Sequence, residues 1–272
     1  MPSPPLTLQT TTLWEYPSQH YGNSEQGSST YKGATPSWVI WNLLQRYTKP
    51  GQVVLDPMCG SGTTFDVAED TGRTCIAFDL QPTRNEIEEA DARDLPLGED
   101  VIDFVFIDPP YGKNLKYSGK PECIGELDAR DQAYFDAMRV VFEESWRVLK
   151  PGGHMAVYVC DVWNRNLFVP IGSHFLFMLS QIFEVVDHIS VVRHNKDLDK
   201  GNYHKAAEAT NFYLRGFNHL LILRKPEDVE TTPKKKLAQR TRGGHLGKPG
   251  AKDMQSKPKR KKPRGGRASD LL

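Results

Sequence analysis

Hydrophobic positions along the chain fall into two alternating periods. SWVIWNLLQRY, just after Pro36, spaces its apolar residues for a helix, and Thr35 stands where a cap would. GQVVLD then reads as a short buried strand running into a glycine-rich turn. TCIAFDL is a second strand and VIDFVFID a third. GTTFDVAEDTG, between the first two, suits a helix closed by Gly72. Residues 131–149 make the clearest amphipathic helix, stopped by Lys150-Pro151-Gly152-Gly153. HMAVYVCD is a further strand and FLFMLSQIF a helix. Two strands near 185–193 and 212–224 flank a polar loop at 194–211. Strands alternating with helices predict an α/β fold, a parallel sheet with helices on both faces. The last two strands, joined without a helix, predict an antiparallel edge hairpin.

Outside these segments the periodicity fades. Residues 1–30 are rich in Ser, Thr, Gln and Pro and read as a loosely ordered lead-in, leaving 31–226 as one domain. Residues 227–272 lack the apolar area to offset their ordering entropy, and read as a disordered basic tail. Charge sharpens this division. The net charge of +1 combines about −11 in residues 1–233 with +12 after Pro233, where 14 Lys and Arg face two acids. A folded acidic body with a basic arm follows. No apolar run reaches 18 residues, and the N-terminus has neither a basic nor an apolar signal region. None of the four cysteines forms a CxxC pair, so no metal site is expected, and together with the missing signal this predicts reduced thiols in a cytoplasm.

Candidate chemistry gathers at strand ends. In VVLDPMCGSGTT, Gly60 and Gly62 let the backbone approach a ligand closely. A triphosphate loop would need a lysine here, and a dinucleotide fingerprint a third glycine where Phe65 stands. Asp56 would repel a pyrophosphate but suits a cationic amino group. Asp79, 23 residues on, is placed to accept from two ribose hydroxyls. Asp91, in ADARDLP after a presumed short strand, could accept from an adenine amino group; a solvated turn acid is the plainer reading. Asp108-Pro109-Pro110-Tyr111 follows the third of the long strands. An amino group conjugated to a base ring is a poor nucleophile. Asp108 and the Pro109 carbonyl could each accept one of its N–H bonds and turn the lone pair outward. The prolines stiffen these acceptors, and Tyr111 offers a π-face to an extruded base. Tyr117, Phe212 and Tyr213 are weaker base-binding candidates. His204 and His219 read as structural.

DPMCGSGTT, the acid after the second strand, ADARDLP and DPPY, in this order, resemble the S-adenosylmethionine-dependent DNA amino-methyltransferases that act on adenine N6 or cytosine N4. FNHLLILRK is similar to their final strand. The resemblance spans about residues 31–225 and implies a Rossmann-like sheet of seven strands with S-adenosylmethionine as cofactor. Carried over by position, Asp56, Pro57, Gly60, Gly62 and Thr63 would line the methionine end, Asp79 the ribose and Asp91 the adenine. Asp108 through Tyr111 would hold the target amine. The helix after Thr35-Pro36 resembles the cofactor-contacting element of one circular permutation of the family. The implied partner is double-stranded DNA with the target base flipped out and the tail on phosphates. DPPYG is also similar to tRNA guanine-N2 methyltransferases, which keeps RNA as the alternative substrate.

Overall fold

Val54 and Leu55, adjacent in sequence, point to opposite sides of a sheet and into two different cores. The computed structural model describes residues 5–227 except 29, 32, 113–116, 165–166 and 195–199. The chain divides into two units at Pro233/Lys234. The second, and with it the expected basic tail apart from Glu227, lies outside the described residues.

In chain order the elements are β1 (Leu13–Trp14), α1 (Ser37–Tyr47), β2 (Val53–Asp56), α2 (Thr63–Asp70), β3 (Thr74–Asp79), β4 (Glu88–Glu89), β5 (Ile102–Ile107), α3 (Gln132–Val148) and β6 (Leu149–Val159). There follow β7 (Val162–Asn164), β8 (Leu167–Val169), α4 (Ile171–Leu179), β9 (Glu184–Val192), α5 (Gly201–Thr210) and β10 (Phe217–Arg224). Eight strands form the main sheet, in the order β1-β9-β10-β6-β5-β2-β3-β4. Only β10 runs antiparallel to its neighbours, β6 and β9. The α/β fold with helices on both faces is as the sequence predicts. Helices α3 and α4 cover one face through Tyr134, Met138, Phe142 and Phe175. Helices α1 and α2 cover the other through Trp38, Leu43, Leu44 and Val67.

Four expectations change. The sheet has an eighth strand, because the lead-in is part of the fold: β1 pairs in parallel with β9. Trp14 is 1% exposed and Tyr16 7%, both packed on Trp38. The β9–β10 pair is therefore covered at its outer side rather than forming the edge. Helix α1 is entered through Pro36, and Thr35 does not cap it; its hydroxyl has another partner, described below. The loop at 194–211 contains α5, which has no buried residue and so no apolar stripe to betray it. Phe212 precedes the last strand, which starts only at Phe217, and the small β7–β8 hairpin was not foreseen. No helix among the described residues is long and apolar enough to cross a membrane.

Candidate active site

Three parallel strands deliver an acid at their C-terminal ends: Asp56 on β2, Asp79 on β3, and Asp108 just after β5. Strand β2 has β3 on one side and β5 on the other. The winding of the sheet reverses there, and open α/β sheets hold ligands at that point. A cavity of about 840 Å³ opens over these ends, within the roughly 300–1,000 Å³ of small-molecule sites.

The glycine turn after β2 needs its glycines. Gly60 and Gly62 have φ of 56° and 87°. A Cβ on Gly60 would lie 3.1 Å from the Tyr31 ring, and one on Gly62 2.7 Å from Nη1 of Arg84. The Gly60 N–H donates to Asp79 Oδ2 at 2.9 Å, so the turn and the second acid hold each other. Gln81 N–H donates to the other Asp79 oxygen at 2.9 Å. Asp56 accepts from Met58 N–H at 3.1 Å and from Thr64 Oγ1 at 2.5 Å. Burial pushes its carboxyl up to about 7; those hydrogen bonds oppose the shift, and the carboxylates of Asp108 and Asp79 add to it. An acid so placed gains most from a cationic ligand.

Asp108 is the best-held acid. Thr35 donates its hydroxyl to Oδ2, and Tyr111 donates its own to Oδ1 at 2.6 Å. Burial again pushes the carboxyl up to about 7 against these two donors and the Arg193 charge. The prolyl loop is fixed from behind, where Tyr134 on α3 donates to the Pro110 carbonyl at 2.8 Å. Tyr117 lies over Gly125, whose Cβ would come 2.3 Å from its ring. Burial raises the Tyr117 hydroxyl above its usual value.

The cavity brings together Thr35, Asp56, Pro57, Gly60 and Thr63 from the glycine-turn side. Asp79, Asp91, Asp108 to Tyr111 and Tyr117 complete it. Gly62 shapes the turn from outside the lining. Phe212 also lies outside it, stacked on Trp163 with centroids 5.6 Å apart and planes at 14°. Asp91 reaches the cavity as half of an ion pair. Arg93 Nε is 2.9 Å from its Oδ1, and Nη2 2.5 Å from its Oδ2. Burial alone would raise that carboxyl, but the guanidinium outweighs it and holds it below its usual range. Among the described residues no cluster of acids, cysteines and histidines could hold a metal ion.

Sequence reasoning missed Tyr31, which covers the glycine turn. Burial, then the charges of Asp79 and Asp108, push its hydroxyl up to about 12. The covering segment is pinned at Gly27. Its N–H donates to Asp66 Oδ2 at 2.7 Å, and a Cβ there would sit 2.3 Å from Thr63 Oγ1. No periodicity announces this contact.

Residues 5–89, from the covering segment through β4, match the family described as DNA methylase. Among curated proteins the chain is similar to the type II methyltransferase M.HinfI of Haemophilus influenzae, 27% identical over 88 residues, or 32% of this chain and 24% of that protein. The U6 snRNA (guanine-N(2))-methyltransferase THUMPD2 of Bos taurus is 28% identical over 152 residues, 49% of this chain and 26% of its own length. The chain thus spans about a quarter of the length of these curated relatives. Among solved structures, TrmN from Thermus thermophilus is 20% identical with a TM-score of 0.47, over 71% of this chain and 50% of that one. A second Thermus thermophilus chain, complexed with S-adenosyl-L-methionine, is 21% identical with a TM-score of 0.38, over 55% and 59% of the two chains.

Proposed function

We propose that this chain transfers the methyl group of S-adenosylmethionine to an exocyclic base amine in DNA, adenine N6 or cytosine N4. The observation that carries the reading is Asp108. It is a partly buried carboxyl whose two oxygens are oriented by Thr35 and Tyr111, in one cavity with Asp56 and Asp79. Those two acids and the bare Gly60 backbone suit the amino group and ribose of such a cofactor. When bound, the cofactor supplies an electrophilic methyl group on a sulfonium.

The chain's own residues do the rest. Asp56 meets the cationic amino acid end. Asp79 keeps free lone pairs for ribose hydroxyls while its other contacts hold the turn. Asp108 accepts one N–H of the target amine and the Pro109 carbonyl accepts the second, so the nitrogen lone pair points toward the methyl group. The proton that the target amine would lose on methylation would pass to Asp108 and then to water. Position and preorganised acceptors supply the rate, and the target base must leave its stack to reach them.

The DNA methylase match and the M.HinfI likeness support a DNA substrate. The likeness to the U6 snRNA enzyme supports a second reading, guanine N2 or adenine N6 in RNA. Incubation of DNA and RNA with labelled cofactor, followed by mass spectrometry of the nucleosides, separates the two. N6-methyladenine or N4-methylcytosine from DNA is expected, and Asp108→Ala should lower its formation far more than tenfold while cofactor affinity stays near that of the parent. Label only in RNA would establish the second reading. Turnover of Asp108→Ala within about tenfold of the parent, roughly 1.4 kcal/mol of barrier, would remove Asp108 from the chemistry.

A further inference from the structure

Strand β6 leaves the sheet next to β5, so its continuation at Cys160-Asp161 emerges beside Asp108. Asp161 is firmly held. One oxygen lies 3.0 Å from His219 Nε2, and the other accepts from Gly172 N–H at 2.9 Å. The β7–β8 hairpin is strung between those two anchors. It carries aromatic and apolar side chains that the core does not use: Trp163 is 38% exposed, Phe168 42% and Leu167 54%. The segment before β10 meets it. Phe212 stacks on Trp163, and the Arg215 guanidinium lies 5.0 Å over the Phe168 ring. Tyr213 projects beside them at 81% exposure. Arg215 donates through Nη2 to the Tyr213 carbonyl, while its buried Nε has no acceptor among the described residues.

We propose that this shelf of stacked rings and cations binds unpaired nucleotides flanking the target base. The inference rests on the nucleic-acid reading above and narrows it to the strand state of the substrate. Exposed aromatic faces interleaved with cations match the chemistry of single-stranded nucleic acid, in which every base offers a free π-face and every linkage a negative charge. Paired bases keep their faces in the stack and gain little from such a shelf. Charge favours the same occupant. Residues 1–233 total about −11, yet residues 193–217 hold five Lys and Arg against three acids, with His194 and His204 besides. Lys200 and Lys205 stand at and within α5, none of whose residues is buried, and Lys200 lies 5.6 Å over the Tyr203 ring. Arg193 joins shelf to cavity: its Nη1 is 2.9 Å from Cys160 Sγ, and its charge acts on Asp108.

The test is fluorescence anisotropy with a labelled 12-nucleotide single strand and the matching duplex. It uses the full-length chain with S-adenosylhomocysteine present, so that binding is read without turnover. The parent should bind the single strand more tightly than the duplex. A Trp163→Ala/Phe168→Ala double variant should lose about tenfold or more of single-strand affinity, as expected for one or two stacked bases, and less than twofold of duplex affinity. Trp163→Phe, which keeps a ring, should stay near the parent. Because both rings are exposed, calorimetry with S-adenosylhomocysteine should show the double variant folded. Equal losses for both ligands, no loss, or a parent that prefers duplex would overturn the proposal. So would sedimentation showing a parent dimer that the double variant cannot form, which would make the shelf a contact between copies. Failure to find methylated nucleosides would count against the proposed reaction and leave these binding outcomes readable.

Discussion

At the scale of residues, the site depends on two carboxyls that burial pushes up to about 7, Asp56 and Asp108. In an unfolded chain both would titrate near about 3.9. Between those values the folded protein binds more protons than the unfolded one. Their contribution to stability is therefore full below about pH 4 and is lost as pH rises to about 7. On the proposed mechanism catalysis runs the other way, since Asp108 can take up the amine proton only when ionised. Over pH 5.5–8 the unliganded parent should lose stability toward urea while kcat/KM climbs through a pKa near 7. Asp108→Asn should flatten the stability trend and remove most of the rate. A parent kcat/KM that is flat across this range would show that Asp108 is already ionised throughout it.

At the scale of elements, β1 shows what a sequence pattern cannot carry. Two residues, Leu13 and Trp14, make a strand through backbone pairing with Ser190 and Val191, and Trp14 fills a pocket beside Trp38 and Tyr16. Trp14→Ala should destabilise the fold by roughly 3–5 kcal/mol and lower the denaturant midpoint accordingly. A loss under about 1 kcal/mol would mean that the segment is only laid against the sheet. Long periodic elements such as α3, and the strands ending at Asp56, Asp79 and Asp108, were legible because their apolar spacing is local. The strand-end acids were legible for the same reason: each ends an apolar run. Strand β1 is too short to have a period, β7 and β8 have three residues each, and α5 buries nothing, so hydrophobicity marks none of them. Tyr31 reaches the site only because Gly27 turns against Thr63, a contact between distant residues of the chain. The Asp91–Arg93 pair was within reach of a closer reading of ADARD, where the partner stands two residues away.

At the scale of the whole molecule, we propose that the basic residues beyond Pro233 supply the affinity for a polyanion that the acidic body lacks. Residues 1–233 total about −11, which disfavours contact with phosphates, and on this proposal the 14 cations beyond Pro233 offset that repulsion. Each phosphate neutralised steepens the salt dependence by about 0.9 on duplex DNA, so a third of the tail's charges would contribute a slope of roughly four. Deleting residues after Thr232 should raise the Michaelis constant for nucleic acid at low salt, flatten the salt dependence and leave the single-turnover rate at saturation nearly unchanged. Equal slopes with and without the tail would show that it does not touch the substrate. The covering strand at the other terminus carries a consequence for synthesis. Leu13 and Trp14 leave the ribosome well ahead of their partners Ser190 and Val191, which follow about 177 positions later. At roughly 5–20 residues per second, that is a wait on the order of ten to tens of seconds. Gly27 and Tyr31 can meet the glycine turn early in that interval. The nascent protein can therefore assemble the cover over its glycine turn well before the far side of its sheet is sealed, and until then Leu13 and Trp14 wait with their backbone edge unpaired and open to other chains.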